Sequence, residues 1–288
     1  MSVSISSEVQ QAEPYEVGKP ARETCKNTKQ SYTRTRATTS PSREHKHFIS
    51  MDNQTDRRQR MQPLVAARAL RELIRDPEQT EQVFIIIRAM SGDSLERSYQ
   101  RFLSTDTGCS ILREQRKLRD RLDDRSALAN LPSGSFGAAY LAFVEAGQLT
   151  ADGLVEASEV NEDLIEDPGL RLYAERLRDQ HDLWHTLTGY GRDPFGEACL
   201  LAFTYAQTRN RGLGTIALIG MLKLSRELGA GVLKAMWQGF RDGRRAAWLP
   251  AQEWESLLER PLDEVRQQLH IERPDTYREI LKLHMASA

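Results

Sequence analysis

The chain has 288 residues, enough for one large domain or two small ones, and 39% of them are hydrophobic, enough to fill a core. A net charge of −1 removes the composition-level case for nucleic acid as the main partner, and no apolar run approaches the ~20 residues a bilayer-spanning helix needs. The three cysteines, Cys25, Cys109 and Cys199, stand far apart without a CxxC, so neither a disulfide framework nor a thiolate zinc site has support.

Residues 1–57 are rich in Ser, Thr, Gln, Lys and Arg, carry few large aliphatic residues and show no period. Such a segment buries too little apolar surface to offset its chain entropy, so a disordered N-terminal tail is expected there. Glu8, Glu13, Glu16 and Glu23 count against a mitochondrial transit peptide, which avoids acidic residues. Met51 and Met61 are candidate start codons, and initiation at either would make the early residues a mis-assigned start.

From Gln62 onward helix signals dominate. Leu64, Leu70, Leu73 and Ile74 keep a helical period, and Asp76-Pro77 reads as an N-cap with Pro at the first helical position, opening a helix through Met90 to Gly92. Asp93 caps the next helix, toward Phe102. Residues 112–125 alternate basic and acidic side chains and read as a solvated helix or loop. Leu131-Pro132-Ser133-Gly134 punctuates the chain before an apolar helix with Phe136, Tyr140, Phe143 and Val144. Asp167-Pro168 opens a helix expected to run through Leu172, Leu177, Leu183 and Leu187 until Gly189 and Gly191. Asp193-Pro194 starts another, with Leu200, Leu201, Phe203 and Tyr205. Helical patterns continue over 213–228, 231–246, 251–259 and 262–270, and no alternating run supports a strand. The expectation is a single all-α, multi-helix domain over 58–288 behind the tail.

His181-Asp182-Leu183-Trp184-His185, followed by Glu197, carries the most chemistry. Residues four apart on a helix lie about 40° apart around its axis and roughly 6 Å along it, so two imidazoles can converge on one metal ion. Asp182 can ligate directly or orient a histidine. The short connection through Asp193 places Glu197 in the first turns of the following helix, able to aim back. The HExxH protease pattern fits poorly, because Asp is shorter than Glu and no third-ligand spacing of that class follows. A metal-dependent hydrolase rests on generic chemistry alone, and a hydrogen-bonded cluster without metal is the plain structural reading of the same residues. A His and carboxylate set suits zinc first, and also iron or manganese. Tyr190 is a candidate proton donor, against a packed turn aromatic. Met236, Trp237 and Phe240 beside Arg241, Arg244 and Arg245 form an apolar and basic face suited to an anionic membrane interface, against a core face with a solvated edge.

The run HDLWHTLTGYGRDPFGE, residues 181–197, resembles the signature of the coenzyme Q biosynthesis protein 4 family: His-Asp, two residues, His, eleven residues, Glu. The likeness extends upstream through Leu131-Pro132-Ser133-Gly134-Ser135-Phe136-Gly137, downstream through Arg260-Pro261-Leu262-Asp263-Glu264-Val265-Arg266, and over roughly residues 60–272. The N-terminal tail departs from it. The resemblance implies an all-helical protein of ubiquinone biosynthesis whose divalent metal is held by His181, Asp182, His185 and Glu197. It implies a carboxy-lyase acting at C1 of a polyprenylated 4-hydroxybenzoate precursor, with C1 hydroxylation in an oxidative version. For that substrate Arg192 is a candidate to pair with the carboxylate, against a solvated turn role beside Asp193, and Gly214, Ala217 and Gly220 are candidates to leave room for the prenyl tail, against close helix packing. The alternative it implies is a non-catalytic, lipid-binding scaffold with a structural metal. Implied partners are the prenylated substrate, other ubiquinone-biosynthesis proteins, a membrane surface and further copies of the chain. The implied location is peripheral on the inner membrane: the cytoplasmic side in a bacterium, the matrix side in a mitochondrion.

Overall fold

The structure, a computed structural model, describes residues 60–76, 79, 81–147 and 165–287, without the side chains of 285–287. The expected tail over 1–57 lies outside the described residues. These are all-helical, and the nearest approach to a strand among them is one isolated bridge between Ser135 and Pro261.

The N-terminal helices α1 (Pro63–Arg75) and α2 (Glu81–Ser91) form a small apolar cluster from Ala66, Ala69, Ile86 and Ala89. Its lid comes from Ile216 and Ile219 of α11 (Arg211–Leu228). The apolar periodicity located α1; of its residues Leu70 and Leu73 pack against the cluster, while Leu64 and Ile74 are largely exposed. Asp76, expected to cap the second helix, instead closes the first, and the second begins at Glu81.

Helix α3 (Ser94–Phe102) follows Asp93 as expected, although the Asp93 carboxylate pairs with Arg97 rather than capping a backbone N–H. The charged stretch 112–125 is more anchored than its alternation suggested. It spans the end of α4 (Asp106–Glu114), all of α5 (Leu118–Asp123) and the start of α6 (Arg125–Ala129). Leu118 and Leu122 point into the main core, while Arg116 and Arg121 reach Glu253 and Glu259 at 2.7 and 3.2 Å. Charge alternation reported the outer face only.

The main core forms around α10 (Pro194–Thr208) and α12 (Gly231–Arg245). Close approach is set by Gly239 and Gly243, one turn apart on α12. A Cβ there would come within 2.8 Å of the Cys199 carbonyl oxygen and 2.6 Å of that of Phe203. Helix α7 (Phe136–Gly147) starts against the C-terminal segment: Phe136 N–H donates to Arg260 O at 2.8 Å, Gly137 N–H to Leu258 O at 2.8 Å, and Leu262 N–H returns to Gly134 O at 3.0 Å. Donors left over at a helix start thus find backbone partners from another segment. After a 3-10 turn at Leu249–Ala251 the chain adds α13 (Trp254–Leu257), α14 (Leu262–Gln268) and α15 (Asp275–Ser287). The last of these was missed, though Asp275 and the spacing of Tyr277, Ile280 and Leu281 carry an ordinary helix pattern.

The helix expected from Pro168 through Leu187 is divided into α8 (Pro168–Asp179) and α9 (His181–Thr188), with Gln180 between them. The Gln180 side chain is drawn into the core, where its Oε1 accepts from Trp184 Nε1 at 3.3 Å and Trp254 Nε1 at 2.8 Å. His181 therefore opens a short helix instead of closing a long one, and a helix C-terminus lies near His185 alone. Gln180→Leu leaves two buried indole N–H donors without an acceptor, at a cost of roughly 1–3 kcal/mol each. A lower urea midpoint with an unchanged slope is the expected result; an unchanged midpoint would refute the role.

Candidate metal centre

Helix α9 places His181 and His185 one turn apart, with ring centroids 4.7 Å from each other. The helix is finished by Gly189, whose φ of 80° is the left-handed conformation favoured at such ends. Arg266 satisfies two of the free terminal carbonyls, donating to Leu187 O at 2.8 Å and Thr186 O at 3.1 Å. The following turn is held by Tyr277 on α15, whose hydroxyl accepts from Gly191 N–H at 3.0 Å and donates to Asp193. The other Asp193 oxygen accepts from Phe195 and Gly196 N–H at 3.2 and 3.0 Å, so α10 starts as the sequence indicated. Glu197 lies in its first turn and is thereby returned to the histidines.

His181, Asp182 and His185 each offer a ligand atom within 4.8 Å of the others. Glu197 Oε1 is 3.1 Å from His185 Nε2, its Oε2 is 3.8 Å from His181 Nε2, and Asp182 Oδ1 is 3.3 Å from His181 Nδ1. All four side chains named from the sequence are thus brought together. The set is buried at one end and open at the other: the His185 side chain is 0% exposed, that of His181 48%. Partial burial disfavours charge on His181, but the hydrogen bond to Asp182 and the negative charge of Glu197 outweigh it and hold its pKa above the ordinary value. The Asp182 carboxyl is pushed up by burial and pulled down further by His181, Arg192 and His185, ending below the usual carboxylate value.

His185 supplies the test of whether these residues suit a metal. Its Nδ1 lies 3.1 Å from the Tyr190 carbonyl oxygen, which can only accept, so Nδ1 carries the proton. In the neutral ring Nε2 is then a bare lone pair, buried and without any aligned hydrogen-bond partner, facing a carboxylate oxygen 3.1 Å away. Two acceptors at that separation need a cation between them, either a second ring proton or a metal ion. A protein carbonyl on one nitrogen that aims the other nitrogen outward is the ordinary arrangement of a metal-binding histidine. The donor set fits a divalent ion.

Arg192 meets this cluster from its outer side, with Nη2 2.9 Å from Asp182 Oδ2 and its guanidinium 4.3 Å above the Phe143 ring. Tyr190 is buried, with its hydroxyl packed toward Gly239 and its ionisation driven far up by burial, which matches a packed aromatic. Sequence reasoning missed the parts played by Phe143, Tyr277 and Arg266. Only Arg266 carried a signal, as the last residue of a family-like segment. Gly214 and Ala217 line an apolar groove of about 360 Å³ with Tyr205, Met221 and Trp237. The apolar and basic face is narrower than expected: Met236 is buried and Phe240 half-buried, while Trp237, Arg241, Arg244 and Arg245 are exposed.

The family model described as coenzyme Q (ubiquinone) biosynthesis protein Coq4 matches residues 53–275. A Danio rerio protein named ubiquinone biosynthesis protein COQ4 homolog, mitochondrial, is 30% identical over 203 residues, covering 70% of this chain and 73% of the relative. An Aspergillus clavatus ubiquinone biosynthesis protein coq4, mitochondrial, is 31% identical over 183 residues, 63% of this chain and 62% of its own length. A crystal structure of a Nostoc punctiforme protein, provisionally named for ubiquinone biosynthesis, shares the fold with a TM-score of 0.53 and 21% identity. It covers 73% of this chain and 98% of its own.

Gly196 tests how Glu197 is placed. A Cβ there would fall 2.2 Å from the Gly191 carbonyl oxygen, a backbone atom that cannot swing away. Gly196→Ala should therefore shift the start of α10, cost about 1–3 kcal/mol by overpacking, and weaken divalent-metal binding. Denaturant melts and metal titration check both effects, and an alanine variant with parental stability would contradict this packing.

Proposed function

The chain belongs to the coenzyme Q (ubiquinone) biosynthesis protein Coq4 family, and from that premise we propose that it is a metal-dependent carboxy-lyase. Its substrate is a polyprenylated 4-hydroxybenzoate precursor of ubiquinone, from which it removes the C1 carboxylate. The observation that carries this reading is the His185 lone pair directed at Glu197, within a donor set that stays open on the His181 side. A site with an exposed face has room for a substrate oxygen, whereas a structural site is closed.

His181, Asp182, His185 and Glu197 hold the ion, zinc by donor type, with iron or manganese also compatible. When bound it supplies Lewis-acid stabilisation of negative charge on the substrate. Loss of CO₂ breaks the bond from C1 to the carboxylate and leaves its electron pair on the ring, where a proton takes the place of the departing group. In the oxidative version a hydroxyl from water takes that place instead of the proton, and dioxygen accepts the two electrons of the broken bond and leaves as hydrogen peroxide. Substrate approaches from the solvent side of His181 and Glu197. Its prenyl tail takes the apolar groove that begins little more than a turn beyond Glu197 on α10, at Ala202 and Tyr205.

Delivery of such a substrate calls for a membrane surface. Among the described residues no helix is long and apolar enough to cross a membrane. The relatives quoted above from Danio and Aspergillus are named as mitochondrial. Leu218, Leu222, Leu233 and Trp237 are exposed beside the groove, and Arg241, Arg244 and Arg245 are exposed further along α12. We assign this face to peripheral contact with an anionic membrane, where other ubiquinone-biosynthesis proteins and further copies of the chain assemble.

The purified protein loaded with zinc is expected to release CO₂ from a prenylated 4-hydroxybenzoate, and His181→Ala or Glu197→Gln to lose both the metal and the activity. Full decarboxylation by metal-free protein would overturn the reading. Metal-dependent binding of the acid with no CO₂ released, with and without dioxygen, would leave a scaffold in its place. Separately, Trp237→Glu should reduce co-sedimentation with phosphatidylglycerol vesicles severalfold without changing thermal melting. Equal sedimentation of the variant and its parent would remove the membrane contact.

A further inference from the structure

Asp182 offers two carboxylate oxygens, and they face different partners. Oδ1 is turned to His181 Nδ1 at 3.3 Å, and Oδ2 receives Arg192 Nη2 at 2.9 Å. The guanidinium that holds Oδ2 is itself seated. Its central carbon lies 4.3 Å from the centre of the Phe143 ring, and the same ring stacks with His185, at 5.4 Å between centroids and 22° between planes. Phe143 thus contacts both the metal-directed imidazole and the guanidinium that holds Asp182. Cation on aromatic face is attractive, and a planar guanidinium suits it better than an ammonium group does.

The second wall of the seat is an absence of side chain. Gly147 is four residues beyond Phe143 on α7, on the same helix face, and is buried. A Cβ at Gly147 would lie 1.2 Å from Arg192 Nη1 and 2.4 Å from its Cζ. The clashing group is the far end of a flexible side chain, so an alanine there leaves the fold intact and displaces the guanidinium. Phe143 and Gly147 together shape a pocket on α7 for the tip of Arg192.

We propose that Arg192 is a positioning residue that fixes the Asp182 carboxylate, so that Oδ1 alone is presented to the metal site, and that Phe143 and Gly147 are its seat. The proposal rests on the metal reading of the site. It gives Arg192 a task different from direct pairing with a substrate carboxylate, because Nη2 of its fork holds Asp182 while Nη1 sits against Gly147. With the outer oxygen held, Asp182 binds through one oxygen in a fixed orientation, and the positive charge of Arg192 offsets one of the two carboxylates crowded beside His181. Partners that orient a ligand from behind in this way typically govern metal affinity by about 10- to 100-fold.

The test uses the full chain and Co²⁺ as the probe, read by competition against a chromophoric chelator and by the visible absorption of the bound ion. Arg192→Met should weaken Co²⁺ binding about 10- to 100-fold and alter the absorption band, while Arg192→Lys should recover part of the affinity. Gly147→Ala should reproduce the loss, and the Gly147→Ala, Arg192→Met double variant should be no weaker than Arg192→Met alone, since both act through one contact. Metal-free melting temperatures, close to the parent in each case, separate positioning from damage to the fold. Affinity within about twofold of the parent for Arg192→Met, or a Gly147→Ala variant that binds as the parent does, would overturn the proposal. Parent protein that binds no Co²⁺ would overturn it together with the metal reading. Parent protein that binds Co²⁺ and releases CO₂, with Arg192→Met equally tight, would overturn this proposal alone.

Discussion

A neutral, buried imidazole whose Nδ1 donates to a backbone carbonyl has only one thing left to offer, a lone pair on Nε2. In this protein that constraint falls on His185, between the Tyr190 carbonyl and the Glu197 carboxylate. Carbonyl, ring and carboxylate form a line in which the last contact is unfavourable until a cation enters it. Leaving such a contact buried costs stability. The surrounding structure therefore has to hold it in place, and much of the fold near the site does so.

The holding is done by segments far apart in the chain. Arg266 ties the end of α9 to the C-terminal region, and Tyr277 locks the turn that carries Tyr190 and Asp193. Gln180 pins the start of α9 to Trp254, and α7, which brings Phe143 against His185, is itself started by backbone bonds to Leu258 and Arg260. The three family-like stretches, 131–137, 181–197 and 260–266, are thus parts of one assembly. The first begins the helix that stacks on the site, the second supplies the ligands, and the third closes the helix bearing the histidines.

A second division runs along α10. Its first turn carries Glu197 into a polar cluster, while its later turns line an apolar groove open to solvent at Leu218, Leu233 and Trp237. One rigid helix therefore couples a charged site to an apolar slot at a fixed distance. That arrangement suits a molecule with a polar head and a hydrocarbon tail. Close approach through Gly239 and Gly243 keeps α12 against α10 and so holds the two regions in register.

Much of this was legible in the residues alone. The all-helical class followed from periodicity and from Asp-Pro starts, and Asp193 with Pro194 located the start of α10 to the residue. The four candidate ligands followed from a local spacing on adjoining helices, because neighbours within a turn or across a short connection are near in space whatever the rest of the chain does. What failed depended on distant partners. The division at Gln180 needs Trp254, the inward leucines of 112–125 need the main core, and the assignment of Arg192 to Asp182 needs a ring and a missing side chain on α7. No local pattern encodes those pairings. Sequence by itself determined which atoms are available to bind an ion. Only the tertiary structure decided which nitrogen of His185 faces inward and what Arg192 holds, because both are set by contacts made across the fold.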